Sequence, residues 1–109
     1  MEDGFSKVAS LADVPDGEMK AVNAPDGVQV AIANIKGELF CFENMCTHED
    51  ASLNFGWVLS DICQIECPLH EGRFDPRTGA ATQAPAEYAL KTYNIRVEGD
   101  DILVGPKKS

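Results

Sequence analysis

Gly27-Val28-Gln29-Val30-Ala31-Ile32-Ala33-Asn34-Ile35-Lys36-Gly37-Glu38-Leu39-Phe40-Cys41-Phe42 is the stretch from which the fold can be read. Val28, Val30 and Ile32 alternate with Gln29 and Ala31, the period-two pattern of a half-buried strand. Pro25-Asp26-Gly27 ahead of it and Lys36-Gly37 behind it are turn chemistry. Leu39-Phe40-Cys41-Phe42 then returns as the hairpin partner, with Phe40 and Phe42 on one face and Leu39 and Cys41 on the other. Outward from this hairpin, further strands are expected at 6–9, 18–22, 62–66, 73–75, 90–97 and 102–104, with Glu98-Gly99-Asp100-Asp101 as the last turn. The one helical turn expected is at 10–14, limited by Pro15. No repeat, low-complexity tract or linker interrupts the pattern, and the fold class is all-β.

The 109 residues, 44% apolar and 25% charged, have the balance of one ordinary globular domain. A formal net charge of −9 argues against non-specific nucleic-acid binding and against attachment to anionic membranes, both of which are driven by positive charge. Met1-Glu2-Asp3-Gly4-Phe5 has neither the basic nor the apolar part of a secretory signal. The longest stretch without a charged residue, 51–60, is ten long, whereas a membrane-spanning helix needs about 20 mostly apolar residues. A cytoplasmic location is expected. In that compartment the four cysteines read as metal ligands or free thiols, not disulfides.

Two segments break the strand pattern: Cys46-Thr47-His48 and Cys67-Pro68-Leu69-His70, with eighteen residues between His48 and Cys67. They hold the only two histidines of the chain, each two or three residues after a cysteine. Two thiolates and two imidazoles on two loops make a four-ligand site that suits zinc or an iron–sulfur cluster. Zinc sites of this composition usually pair the cysteines in one knuckle and the histidines in another. Here each knuckle mixes one of each, which suits a two-iron cluster whose irons are held by unlike pairs. On these residues alone both metals remain open.

Downstream of the second segment come Gly72-Arg73-Phe74-Asp75, Thr78-Gly79 and then Pro85. With the two ligand segments, this arrangement resembles the Rieske [2Fe–2S] proteins over nearly the whole chain. The resemblance implies a single domain over 1–109: an antiparallel β-sandwich with a small cluster-binding subdomain formed by two loops, about 44–51 and 66–73. A proline loop at about 83–87 would cover the cluster. It also implies one [2Fe–2S] cluster per chain, with Cys46 and Cys67 on one iron and His48 and His70 on the other. Replacing two thiolates by neutral imidazoles removes negative charge and eases reduction; Rieske centres span about −150 to +300 mV, against about −400 mV for all-cysteine plant-type clusters.

High-potential respiratory members of the family carry an extra cysteine in each loop, joined as a disulfide; Ala51 and Leu69 stand in the corresponding places here. They also have a serine hydroxyl on a bridging sulfide, where this chain has Gly72 or Arg73. Fewer hydrogen bonds to sulfur, and the carboxylates Glu49, Asp50 and Glu71 beside the histidines, point to the low end of the Rieske range. Cys41 and Cys63 lie in strand patterns and read as small buried hydrophobes, and Trp57 reads as a packing residue.

No histidine is left for the 2-His-1-carboxylate iron of an oxygenase, and no G-x-G-x-x-G offers a dinucleotide site. The chain can receive and pass on single electrons, without catalysing a reaction of its own. It resembles the ferredoxin component of bacterial multicomponent aromatic-ring-hydroxylating dioxygenases. That resemblance implies a flavin-dependent, NAD(P)H-oxidising reductase and a terminal oxygenase as partners, docked transiently at the ring edges of His48 and His70 and at Pro85, with the carrier a monomer. Two alternatives stand beside it: the Rieske-like small subunit of a nitrite reductase, and a structural zinc module, which would be colourless and redox-silent.

Overall fold

The computed structural model describes residues 4–44, 52–68, 72–83 and 89–108. Among them the strands run β1 (Ser6–Ser10), β2 (Met19–Asn23), β3 (Gln29–Ile35), β4 (Glu38–Glu43), β5 (Trp57–Leu59), β6 (Gln64–Glu66), β7 (Arg73–Phe74), β8 (Ala81–Gln83), β9 (Tyr93–Glu98) and β10 (Asp101–Lys107). They form three antiparallel sheets in the orders β1-β10-β9, β2-β3-β4 and β5-β6-β7-β8. The first two meet where Phe42 bridges Thr92. The expected helical turn is present as a single 3-10 turn at Leu11–Asp13. No helix among the described residues is long and apolar enough to cross a membrane.

The β3–β4 hairpin is the wall between two cores. Its turn residues Lys36 and Gly37 have φ of 55° and 90°. This left-handed pair matches the twist of the flanking strands, with Ile35 opposite Glu38. Asp16 accepts the Lys36 N–H at 2.7 Å and the Asn34 side chain accepts that of Gly37 at 2.9 Å, which holds the lysine in a region it rarely visits. Val30, Ile32 and Cys41 face one core with Val14, Tyr93, Ile102 and Val104. Ala31, Ala33, Phe40 and Phe42 face the other with Leu53, Ile65, Cys67, Phe74 and Leu90.

The half-buried strand expected from the alternation is therefore buried on both faces: Ala31 and Ala33 are as inaccessible as Val30 and Ile32. Small alanines leave room for the phenylalanines opposite them, so the period-two signal separated two cores and not core from water. Two strands were not expected, β5 and β8, each three residues long and without an alternation to read. The strand expected over 62–66 begins only at Gln64, and Ile62 and Cys63 form the turn before it. Cys63, with φ of 53° and half-buried, is a turn residue and not the buried strand hydrophobe expected of it. The strand expected over 90–97 starts at Tyr93, because the Leu90 N–H is drawn to Gly79 instead of a ladder partner.

Candidate metal centre

The β5-β6-β7-β8 sheet carries the second ligand segment, and the end of β4 leads into the first. Cys46, His48 and His70 lie outside the described residues, as do Pro85, Glu49, Asp50, Glu71, Ala51 and Leu69. Cys67 is described: it follows β6 directly, is fully buried, and shares the core of Leu53, Ile65, Phe74 and Leu90. Among the described residues no group of three or more ligating side chains forms. What these residues do show is how the chain enters and leaves each ligand loop.

The first loop is closed at its base by Asn44, a buried polar residue whose side-chain amide is fully used. Its Nδ2 donates to Asn54 Oδ1 at 2.7 Å and to Gln29 Oε1 at 3.2 Å, while its Oδ1 accepts the Asn54 N–H at 2.8 Å. The Asn44 carbonyl also accepts the Leu53 N–H at 3.3 Å. Residues on both sides of 45–51 are thus tied to each other before any metal is considered. A buried amide with every donor and acceptor satisfied is specific in a way an apolar contact is not.

The second loop is a hairpin closed by the Cys67 N–H donating to the Gly72 carbonyl at 2.7 Å. One rung back, Glu66 pairs with Arg73 in register, and Arg73 Nε donates to Glu66 Oε2 at 3.1 Å. Both side chains are partly buried, so this ion pair is better shielded than a surface pair. Gly56, just before β5, packs closely on the base of the second loop: a Cβ there would collide with the Glu66 carbonyl oxygen and stand 3.1 Å from Pro68 Cδ.

The chain entering and leaving 84–88 is held the same way. Gly79, with φ of 83°, donates its N–H to the Asp75 carbonyl and accepts the Leu90 N–H, both at 2.7 Å. A Cβ on Gly79 would strike the Leu90 carbonyl oxygen. Arg77 donates to both carboxylate oxygens of Asp75 at 3.1 Å and holds that carboxyl below the usual carboxylate range. The stretch from Gly72 to Gly79 therefore reads as loop closure, ion pair, core anchor and turn in succession.

Cys41 is buried, and desolvation pushes its thiol up to about 12, so it is the inert small hydrophobe expected. Trp57 departs from expectation: it is 54% exposed on the short strand β5, not packed in a core. Sequence reasoning missed Asn44, Asn54, Gly56, Glu66 and the Gly79–Leu90 contact. Asn44, two residues before Cys46 at the end of an apolar strand, was the one readable sign among them.

A buried cysteine at the mouth of a short closed hairpin fits a thiolate ligand. Burial alone does not distinguish it from Cys41; what differs is its place at the end of β6, in a segment that also carries the second histidine, where a bound metal cation would offset the cost of holding a thiolate among apolar side chains. Comparison with known proteins bears on the family. The Rieske [2Fe–2S] domain family matches residues 4–94. The biphenyl dioxygenase ferredoxin subunit of Pseudomonas sp. (strain KKS102) is 44% identical over 100 residues, 92% of this chain and 90% of that relative. The ferredoxin of carbazole 1,9a-dioxygenase from Nocardioides aromaticivorans IC177 superimposes with a TM-score of 0.88 at 36% identity, over 94% of this chain and 97% of that one. A solved complex of reduced oxygenase and oxidized ferredoxin in carbazole 1,9a-dioxygenase matches with a TM-score of 0.85 at 27% identity, over 94% of each chain.

Proposed function

This chain belongs to the Rieske [2Fe–2S] family, and from that premise we propose that it relays single electrons from a flavin-dependent, NAD(P)H-oxidising reductase to the terminal oxygenase of an aromatic-ring dioxygenase system. It is an electron-transfer component and not a catalytic subunit, and its cofactor is a Rieske-type [2Fe–2S] cluster. When bound, that group supplies a site that takes up and gives back one electron at a time.

The residues proposed to hold it are Cys46 and Cys67 on one iron and His48 and His70 on the other. The observation that carries this reading is Cys67, fully buried where β6 ends, with its loop closed by the Gly72 carbonyl. The whole chain is read as one Rieske domain, with ligand loops at about 44–51 and 66–73 and a proline loop at about 83–87. Asn44 and the Glu66–Arg73 pair fix the bases of the two ligand loops, so little rearrangement need accompany electron uptake. The reduction potential is placed at the low end of the Rieske range. Arg73, the cation nearest the second loop in sequence, is already neutralised by Glu66 and adds little pull on an incoming electron. The reading includes a monomeric carrier and a cytoplasmic location, the latter in keeping with Cys41 and Cys63 standing as thiols and not as disulfides. Its net charge of −9 calls for basic faces on both partners.

Anaerobically purified protein tests this. Two irons per chain, bleaching by dithionite and a rhombic one-electron EPR signal are expected. Reduced protein should then pass electrons to the biphenyl or the carbazole dioxygenase oxygenase, more slowly as salt rises. A colourless protein with one tightly held zinc, or a reduced protein that serves neither oxygenase, would refute the reading.

A further inference from the structure

Among the described residues the large exposed hydrophobics are Phe55 at 74%, Trp57 at 54%, Ile62 at 49% and Val97 at 43%. Three of these four fall within eight residues, on β5 and the turns at its two ends. Folding gains nothing from a phenylalanine and a tryptophan held in water, and neither belongs to either core. Their place is specific. Gly56 between them abuts the Glu66 carbonyl and Pro68, and Trp57 stands opposite Glu66, the residue before Cys67. The aromatic pair therefore sits against the flank of the second ligand loop. Among the described strands β5 pairs only with β6.

The surroundings are acidic. A recess of about 280 Å³ beside Trp57 is lined by Glu18, Met19 and Asn54, with Glu18 exposed. On the other side a second recess, of about 450 Å³, is lined by Asp61, Ile62 and Arg73; Asp61 is exposed and Arg73 is committed to Glu66. A partner that covered this face would need an apolar hollow for two aromatic rings and a basic rim for the carboxylates. Aromatic anchors surrounded by charged residues are the usual composition of an energetically dominant contact.

We propose that Phe55 and Trp57 are the anchors of the face that grips the terminal oxygenase, with Glu18 and Asp61 steering its basic side chains. This rests on the carrier reading above. The oxygenase is chosen because a solved dioxygenase complex holds a ferredoxin of this fold against its oxygenase. It extends the contact from the ligand loops to their flank on one side only, and leaves the reductase to dock elsewhere around the cluster.

The test uses cluster-loaded full-length protein and whichever of the biphenyl and carbazole oxygenases the wild type reduces faster. Phe55→Ser and Trp57→Ser should each weaken binding to that oxygenase at least tenfold. Iron content, visible spectrum, potential and the rate of reduction by the reductase should be unchanged. Phe55→Ser removes a ring that makes no core contact, so it stays informative if Trp57→Ser loosens β5. Glu18→Gln should slow association several-fold and flatten its salt dependence. Unchanged affinity in Phe55→Ser would overturn the proposal. So would slowed reduction by the reductase with oxygenase binding intact, or a loss of self-association on ultracentrifugation, which would assign the patch to a second copy. If the wild type serves neither oxygenase, the carrier reading fails; if it does and the variants bind equally, only the docking face fails.

Discussion

Gly56→Ala is the sharpest probe of how the scaffold holds the cluster. The added Cβ would land on the Glu66 carbonyl oxygen, 3.1 Å from its carbon and 3.1 Å from Pro68 Cδ. Optimal carbon–carbon separation is about 3.5–4.0 Å, and the obstacle is backbone, so no rotamer change relieves it. Either β5 or β6 must retreat by about 0.5 Å or more. β6 is the strand that delivers Cys67, and its register with β7 is held by the Glu66–Arg73 pair. Overpacking of this kind costs about 1–3 kcal/mol. For a domain of this size that is a fall in melting temperature of about 5–15 °C. Iron retention should fall in parallel, because the displacement is passed directly to Cys67, the ligand proposed above. The control is Gly27→Ala: that glycine has φ of 88° but open space around it. It should lower stability through backbone strain alone and leave iron content at wild-type level. Melting followed by circular dichroism, with iron counted before and after a fixed incubation, reads both quantities. A Gly56→Ala protein with wild-type iron retention and melting temperature would refute the claim that this close contact at the start of β5 sets the position of the second loop.

Two further outcomes follow from the loop bases. Arg73→Gln leaves Glu66 uncompensated about 10 Å from the Cys67 sulfur, and at an effective dielectric of about 20 a charge there is worth about 1–2 kcal/mol before solvent screening. The potential should therefore fall by a few tens of millivolts, Glu66→Gln should raise it, and the double variant should return near wild type; redox titration of the three reads this, and shifts of the same sign in both singles would refute it. Asn44→Ala leaves the Asn54 N–H and side-chain oxygen without their partner beside an unfilled buried site, at a cost of about 2–3 kcal/mol. It should release iron faster than an equally destabilising change in the other core, such as Ile102→Val combined with Val104→Ala; equal release rates would show that the first loop does not depend on this amide.

The hairpin and the ligand loops were legible for different reasons. Lys36-Gly37 between two apolar runs is local chemistry, and a turn with both central residues at positive φ follows from neighbours in sequence. The pairing of cysteine with histidine in each of two segments is likewise a local pattern, and metal ligands tolerate few residue types. The stretch from Gly72 to Gly79 was recognisable as a motif, but its physics was not: Arg73 works through Glu66, and Gly79 through Leu90. The short strands β5 and β8 carry too few residues to show a period, and exist because β6 and β7 offer them ladder partners.

Read alone, the chain determined that strands alternate and which residues could ligate a metal. These are properties of residue type and near-neighbour spacing. Only the tertiary structure decided that the central hairpin is buried on both faces, that Asn44 closes a loop by bonding a residue ten positions away, and that Phe55 and Trp57 face water with Trp57 opposite Glu66. An apolar residue carries the same hydrophobic free energy wherever it stands in a sequence. Whether that energy is spent in a core or held exposed for a partner depends on what the folded chain places against it.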